Sequence, residues 1–427
     1  AAYTMVFQGT PGRPQPKNFR EVNYLSFGRC SETRYELGNT GNADDYPCAD
    51  DASYFNGCHP RDFKEFPRHW AGKNVKIHMY TTPGHLSDAA PDFDMWDKND
   101  LSLPGMVSSG SKLGVKQMSY YFCPNATDAA ADLWSWWCKD AMTRLKNYNG
   151  LYFDLSGVHY CENEKHGCAG KDAFGQRFIS NDALGLRTFF LRTYKTCHKY
   201  GGDMMIHCHV AFMPMTHICD YFAPGENTFS ICQKNFHYGY CEDIPLETWQ
   251  TDYNQIRSGV SYEFILQNVR AADLTPSMEA ERKICRTSRE VAIHAMTPLL
   301  VHDLNAWGHY ANKAVLNEIW LIKRDVKLGK AVKYHGYWES DAVVSSSPRT
   351  YCGWYEWKDG APYKRLIVAG NFTRNRQKAA LKIDFKAMGL DEKNVSFYDL
   401  WNKRPLTRTQ LDNFMLDGGS FMLIGIR

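Results

Sequence analysis

A recurring pattern runs along the chain: a short apolar run that ends on a polar or acidic group and then a turn. Asn149-Gly-Leu-Tyr-Phe-Asp-Leu-Ser-Gly157 is the sharpest instance. A run of this length bounded by turn residues reads as a buried parallel strand, and Asp154 falls where its carboxyl end opens into a loop. The pattern returns at Val22 to Phe27, Asn74 to Tyr80, Lys116 to Phe122, Gly201 to His209, Ile218 to Glu226, Val260 to Leu266 and Thr297 to Asp303. Between them lie stretches with helical spacing: 127–147 with Leu133, Trp136, Trp137, Met142 and Leu145, a second through Leu184, Leu186, Phe190 and Tyr194, and a third from Met278 to Met296. Strands alternating with helices over roughly 300 residues predict an α/β fold, a (β/α)8 barrel of the TIM type. From about Tyr334 the texture changes to short alternating runs, Leu366 to Ala369, Ala380 to Phe385 and Phe421 to Ile426. These predict a C-terminal antiparallel β-sandwich. The domain reading is a turn-rich linker from a missing upstream domain at 1–20, a catalytic barrel at 21–332 and the sandwich at 333–427.

Composition narrows this little. The 427 residues are 44% hydrophobic and 23% charged, which is ordinary for a globular chain. A net charge of +3 from scattered basic residues offers no stripe for a phosphate backbone, so no nucleic-acid partner is expected. No apolar run reaches membrane-span length, and the start at Ala-Ala-Tyr without Met suggests removal of a leader or upstream domain. Fourteen cysteines do change the picture. Cys48 with Cys58, Cys123 with Cys138, Cys161 with Cys168, and Cys232 with Cys241 have spacings a loop-closing disulfide can use, while the absence of Cys-x-x-Cys leaves a zinc ribbon unsupported. With the Asn-x-Ser/Thr sites at Asn125, Asn371 and Asn394, they read as a secreted or cell-surface protein; cysteines filling the core as small apolar residues are the competing reading.

Carboxylates at two strand ends point to glycoside hydrolysis, in which one acid protonates the leaving oxygen and another stabilises or captures the cationic sugar. Asp154 and Glu226 form the primary pair, and Asp220 competes for the acid role. Tyr152, Trp96 and Tyr221 fall near predicted loop mouths, where aromatic faces suit the C–H side of a pyranose. His302 and Asp303 at the last predicted strand end could hold a hydroxyl pair. His207-Cys-His209 places two imidazoles on one strand face; sugar binding or orientation of Glu226 is their first reading, and a metal-dependent hydrolase the third hypothesis overall. No dinucleotide fingerprint, phosphate loop or Gly-x-Ser-x-Gly elbow occurs, and no cofactor is called for. The expected partner is a carbohydrate substrate or glycan.

Gln8-Gly-Thr-Pro-Gly-Arg-Pro-Gln-Pro-Lys-Asn-Phe-Arg20, Gly150 to Asp154, Cys161 through His166-Gly-Cys168, and Asp220 to Glu226 together resemble a group of secreted, glycoside-hydrolase-like bacterial proteins. That group usually carries a β-sandwich before the barrel as well as after it. More distantly, Asp154 at the end of a fourth strand is similar to the nucleophile of the retaining α-galactosidase and endo-α-N-acetylgalactosaminidase barrels. The likeness implies attack by Asp154 on an α-linked galactose- or N-acetylgalactosamine-type sugar, with Glu226 as acid and then base. The substrate-assisted β-N-acetylgalactosaminidases use an adjacent Asp-Glu pair; the chain has that dipeptide only at Asp391-Glu392, inside the predicted sandwich. A carbohydrate-binding or surface-assembly barrel without catalysis is the alternative.

Overall fold

The computed structural model describes residues 150–427, apart from 155, 209–212, 255–259, 268–275, 308–310, 329–330, 332 and 358–360. Before residue 150 it describes Met5–Gln8, Tyr24–Gly28, Val75–Thr81, His85–Ser87, Ser102–Gly110, Gln117–Phe122, the turn 123–125, residue 83 and some helical positions between 132 and 143. Eight strands close into a barrel: β1 (Met5–Gln8), β2 (Tyr24–Gly28), β3 (Val75–Thr81), β4 (Gly150–Phe153), β5 (Asp203–His207), β6 (Tyr221–Ala223), β7 (Ser261–Ile265) and β8 (Asn305–Trp307), in that order around the ring. Pairing is parallel from β3 through β6 and from β7 through β8 to β1. The predicted barrel is therefore present, and Asp154 does follow its fourth strand.

Three boundaries differ from the sequence reading. Met5–Gln8 is the first barrel strand, although it lies within the stretch read as a linker. Gln117–Phe122 is a strand, but it pairs antiparallel with His85–Ser87 and Ser102–Gly110 in a separate three-stranded sheet. Thr297 to Asp303 is the end of a helix, Arg289–Val301, and the last strand is Asn305–Trp307. That helix is buried along most of its length, so it shows no amphipathic period; an apolar run of this kind looks the same in a buried strand and a buried helix.

The chain divides into two compact units. One comprises Gln8–Gln15 and Leu25–Ala223. In it helix α1 (Ala183–Lys199) buries Leu186, Phe189, Phe190, Thr193 and Cys197, a single helical stripe. Phe153 of β4 packs edge-on against Phe189 and Phe190, with ring centroids 5.6 and 5.5 Å away. Each such buried ring contributes about 1.5–3 kcal/mol relative to exposure. Because side chains alternate along a strand, Phe153 facing α1 turns Tyr152 to the opposite face. Gly150 shares that face; a Cβ there would come within 2.1 Å of the Asp203 carbonyl and 2.7 Å of the His78 ring.

The other unit comprises Ala1–Phe7, Pro16–Tyr24 and Pro224–Arg427. Helices α2 (Pro276–Thr287), α3 (Arg289–Val301) and α4 (Lys313–Asp325) belong to it. Ser288 caps α3 by accepting from Val291 N, and Asn312 caps α4 by accepting from Ala314 N and Val315 N. Pro298 cannot donate to the carbonyl of His294, and the Cys241 thiol donates to that oxygen instead, at 3.3 Å. The C-terminal region is an antiparallel six-stranded sheet, β9 (Lys333–His335), β10 (Thr350–Glu356), β11 (Arg365–Asn371), β12 (Phe397–Asp399), β13 (Arg404–Leu406) and β14 (Phe421–Ile426), ordered β9-β10-β11-β14-β12-β13. Two short ladders, Val343–Ser345 with Leu381–Ile383 and Gln377–Lys378 with Met415–Leu416, complete it over a common apolar core.

The sheet joins helix α3 and the short helix Gly239–Glu242 through specific bonds. Tyr334 donates to the Val301 carbonyl, Thr297 to the Gly419 carbonyl at 2.6 Å, and Arg349 to the Cys241 carbonyl at 2.8 Å. Arg374 reaches both Glu242 oxygens, at 2.9 and 2.8 Å, and holds that carboxyl below its usual range.

The disulfide expectation is not borne out among the described residues. Every described cysteine is a buried free thiol, and Cys48 and Cys58 lie outside the described residues. Burial pushes the thiols of Cys138, Cys285 and Cys352 up to about 12, so they pack as small apolar groups. Of the three Asn-x-Ser/Thr sites Asn394 is exposed and the other two are engaged. Asn371 is fully buried with its amide donating to the carbonyls of Asn375 and Asp417, and the Asn125 amide donates to the Asn181 carbonyl.

Candidate active site at the carboxyl end of β4

The register of β4 on β5 pairs Gly150 with Asp203 and Tyr152 with Met205. Gly150, Tyr152 and Asp154 therefore share a face with Asp203, Met205 and His207, and continuing the register brings Asp154 beside His207. His207 Nδ1 lies 2.9 Å from Asp154 Oδ1 and 2.7 Å from the Tyr152 hydroxyl. The imidazole is buried, with 7% of its side chain exposed, whereas Asp154 keeps 19%. A carboxylate that is partly open but gripped from beneath by a buried ring has a fixed direction, which a catalytic carboxylate requires. The turn beyond it is pinned as well: Ser156 N donates to the His207 carbonyl and Ser156 Oγ to the Phe153 carbonyl, both at 3.0 Å.

Two other expected members of this site stand at the opposite end of the strands. Asp220 precedes β6 and spends its carboxylate on Met204 N at 2.8 Å and on His198 Nε2 at 3.1 Å. Met204 is the second residue of β5, so Asp220 marks the amino end and does not join Asp154. Tyr221 pairs with Met205 and donates to Asp203 at 3.4 Å, beside His78, with ring centroids 5.9 Å apart. Neither sits at a loop mouth. The period-two pattern located the strand, but not which of its ends each polar group occupies.

In the other unit Glu226 opens a short 3-10 turn just past the carboxyl end of β6, and its side chain is half-buried. Gly225 before it has φ +98°, and a Cβ there would press on the Phe264 ring at 2.6 Å. Thr228 fixes the turn by donating from both N and Oγ1 to the Gly225 carbonyl, at 3.0 and 2.6 Å.

His302 and Asp303 stand before β8 and not at its end, which corrects their assignment to a sugar site. His302 is fully buried between Trp249 and Trp338, donates from Nδ1 to the Pro298 carbonyl, accepts at Nε2 from the Tyr337 hydroxyl 3.0 Å away, and is held down to about 4 by burial. Asp303 adopts φ 57° and accepts from Tyr355. Both anchor the C-terminal sheet. His209 and Trp96 lie outside the described residues.

A buried polar cluster escaped the sequence reading. Glu263 on β7 accepts from Asn305 Nδ2 and Ser261 Oγ, each at 3.1 Å, and Lys323 of α4 donates to Asn305 Oδ1 at 3.1 Å. Its signal was visible as a lone acid inside the apolar run Ser261-Tyr-Glu-Phe-Ile265.

No family model matches the chain, and no curated protein matches it. Solved structures do. A noncanonic maltogenic alpha-amylase from Thermotoga neapolitana has a TM-score of 0.59 at 11% identity, covering 99% of this chain and 97% of that one. An alpha-amylase from Lactobacillus plantarum scores 0.56 at 10% identity, with 98% of each chain covered. Trehalose-6-phosphate hydrolase from Bacillus licheniformis scores 0.53 at 11% identity, covering 100% of this chain and 99% of that one. At such identities the likeness establishes the fold: a glycoside-hydrolase-like barrel followed by a sheet domain.

Proposed function

We propose that the chain is a glycoside hydrolase in which Asp154 is the nucleophile of a double displacement. The observation that carries this is the Asp154 carboxylate just past the carboxyl end of the fourth barrel strand, partly open and oriented by buried His207 and Tyr152. Glu226, past the end of β6, is proposed as acid and then base on the strength of its strand-end position. For the sugar, the motif resemblance favours α-linked galactose or N-acetylgalactosamine. The amylase-type folds make α-glucosides the necessary comparison.

The test is a panel of activated aryl α- and β-glycosides with the parent chain and Asp154→Asn. Turnover should fall roughly 10³-fold or more in the variant with the fold retained, and a slow fluoroglycoside should label the peptide containing Asp154. For Glu226→Ala, azide should partly restore hydrolysis of activated substrates. Full activity in Asp154→Asn would remove that residue from the mechanism. Glycan binding with no hydrolysis across the panel would identify a binding protein on the same fold.

A further inference from the structure

The excursion between β4 and α1 has little apolar core. Its strands Tyr160–Cys161, Ala169–Lys171 and Arg177–Asn181 form a small antiparallel sheet, and Tyr160, Phe174, Phe178 and Ile179 are exposed on it. A segment so short of buried surface needs another source of order. Three potential ligands in it meet a fourth from the end of Gln117–Phe122: the Sγ atoms of Cys161, Cys168 and Cys123 and a ring nitrogen of His166 all lie within 4.8 Å of one another.

The separations match a tetrahedral metal site. Cys123 Sγ stands 3.8 Å from Cys168 Sγ, and Cys161 Sγ stands 3.5 Å from His166 Nδ1. A disulfide requires about 2.05 Å. Tetrahedral zinc, with bonds of about 2.3 Å to sulfur and about 2.05 Å to nitrogen, sets two sulfurs about 3.8 Å apart and a sulfur and nitrogen about 3.5 Å apart. The three cysteines are buried, at 0%, 0% and 3% exposure.

We propose that Cys123, Cys161, His166 and Cys168 bind one structural zinc ion. The local chain is shaped for it. His166 ends a 3-10 turn capped by Asn163, and Gly167 at φ 70° reverses the backbone so that Cys168 returns beside Cys161. Donors surround the sulfurs: Asn125 Nδ2 lies 3.5 Å from Cys168 Sγ, and the backbone N–H groups of Asn125 and Asn163 point at Cys123 and Cys161. Such N–H···S bonds support metal-bound thiolates. Four protein ligands leave no open position, so the ion holds chain segments together and takes no part in hydrolysis. The ion would tie the strand Gln117–Phe122 to the loop leaving Asp154. Tyr121 and Asp182 already bridge the same elements at 2.6 Å, and Asp182 accepts from His159 N at 2.8 Å. The proposal does not rest on the glycosidase reading.

The experiment is metal analysis of the full chain purified without chelator. About one zinc per chain is expected, lost in Cys161→Ser and Cys168→Ser and kept in Cys352→Ser, which alters a buried thiol of the C-terminal sheet. Cobalt exchanged into the unaltered chain should show the intense visible bands and thiolate charge transfer of a tetrahedral sulfur site. That readout needs no variant to fold. Absence of stoichiometric metal, a Cys161–Cys168 or Cys123–Cys168 disulfide in non-reduced peptides, weak octahedral cobalt bands, or zinc unchanged in the serine variants would each overturn the proposal.

Discussion

Glu263 supplies a stability test with a defined sign. Its carboxyl has no exposed surface, and burial pushes it from 4.5 up to about 8 against the opposing pull of Asn305, Ser261 and Lys323. The folded chain therefore keeps a proton that the unfolded chain releases, so this group's contribution is full below 4.5 and disappears as pH rises through about 8. The difference of 8 − 4.5, at about 1.36 kcal/mol per unit, gives a swing on the order of 5 kcal/mol across that window. Glu263→Gln substitutes a neutral group of the same shape whose oxygen still accepts from Asn305 and Ser261. The variant should match the parent near pH 4.5, exceed it by a few kcal/mol near pH 8, and show a flatter profile between. Urea denaturation at stepped pH, read by hydrogen-exchange protection of the Ser261–Ile265 strand, measures this locally and does not require the two compact units to unfold together. Parallel profiles for parent and variant would mean that Glu263 is ionised in the fold, paired with Lys323, and the reasoning would fail.

Three further substitutions probe the architecture. Tyr152→Phe removes the hydroxyl on His207 Nδ1; it should cost about 1 kcal/mol of stability and displace the pH profile of kcat/KM, and a profile superimposable on the parent's would place Tyr152 outside the site. Gly150→Ala drives a methyl into the Asp203 carbonyl and the His78 ring and should cost about 1–3 kcal/mol or more in thermal denaturation; an unchanged midpoint would show that β4 can shift. Asn371→Ala strips the buried amide that ties the Asn375 and Asp417 carbonyls and the Thr373 N–H, a loss of roughly 2–3 kcal/mol. The intact mass of the parent should show no glycan at that position.

The barrel was legible in sequence because its strands are short apolar runs closed by turn residues, and the place of Asp154 just past a barrel strand was legible because it stands alone at the end of the clearest run. Helix α1 was legible from its helical period: Leu186 and Phe190 sit on the buried stripe, whereas Leu184, read with them, is exposed. What failed shares a cause. Thr297 to Val301 is buried in a helix, Gln117–Phe122 is a strand of another sheet, and Asp220 and Tyr221 lie at the wrong end of a correctly placed strand. Periodicity reports burial, not the partner or the polarity of an element. The cysteines are a different case. Spacing along the chain suggested pairs, whereas the fold gathers Cys123 with a later Cys-x4-His-x-Cys segment that contains no Cys-x-x-Cys.

The bonds from Tyr334, Tyr337 and Tyr355 to Val301, His302 and Asp303 bear on how the protein can be taken apart. A cut before β9 would leave a buried imidazole stripped of its Trp338 cover, a carboxylate without its phenol and a helix-end carbonyl without a donor. The C-terminal sheet is thus no detachable accessory module. Shuffling or truncation that treats it as one should yield insoluble protein, and a compatible replacement would have to bring its own tyrosines to the same three residues.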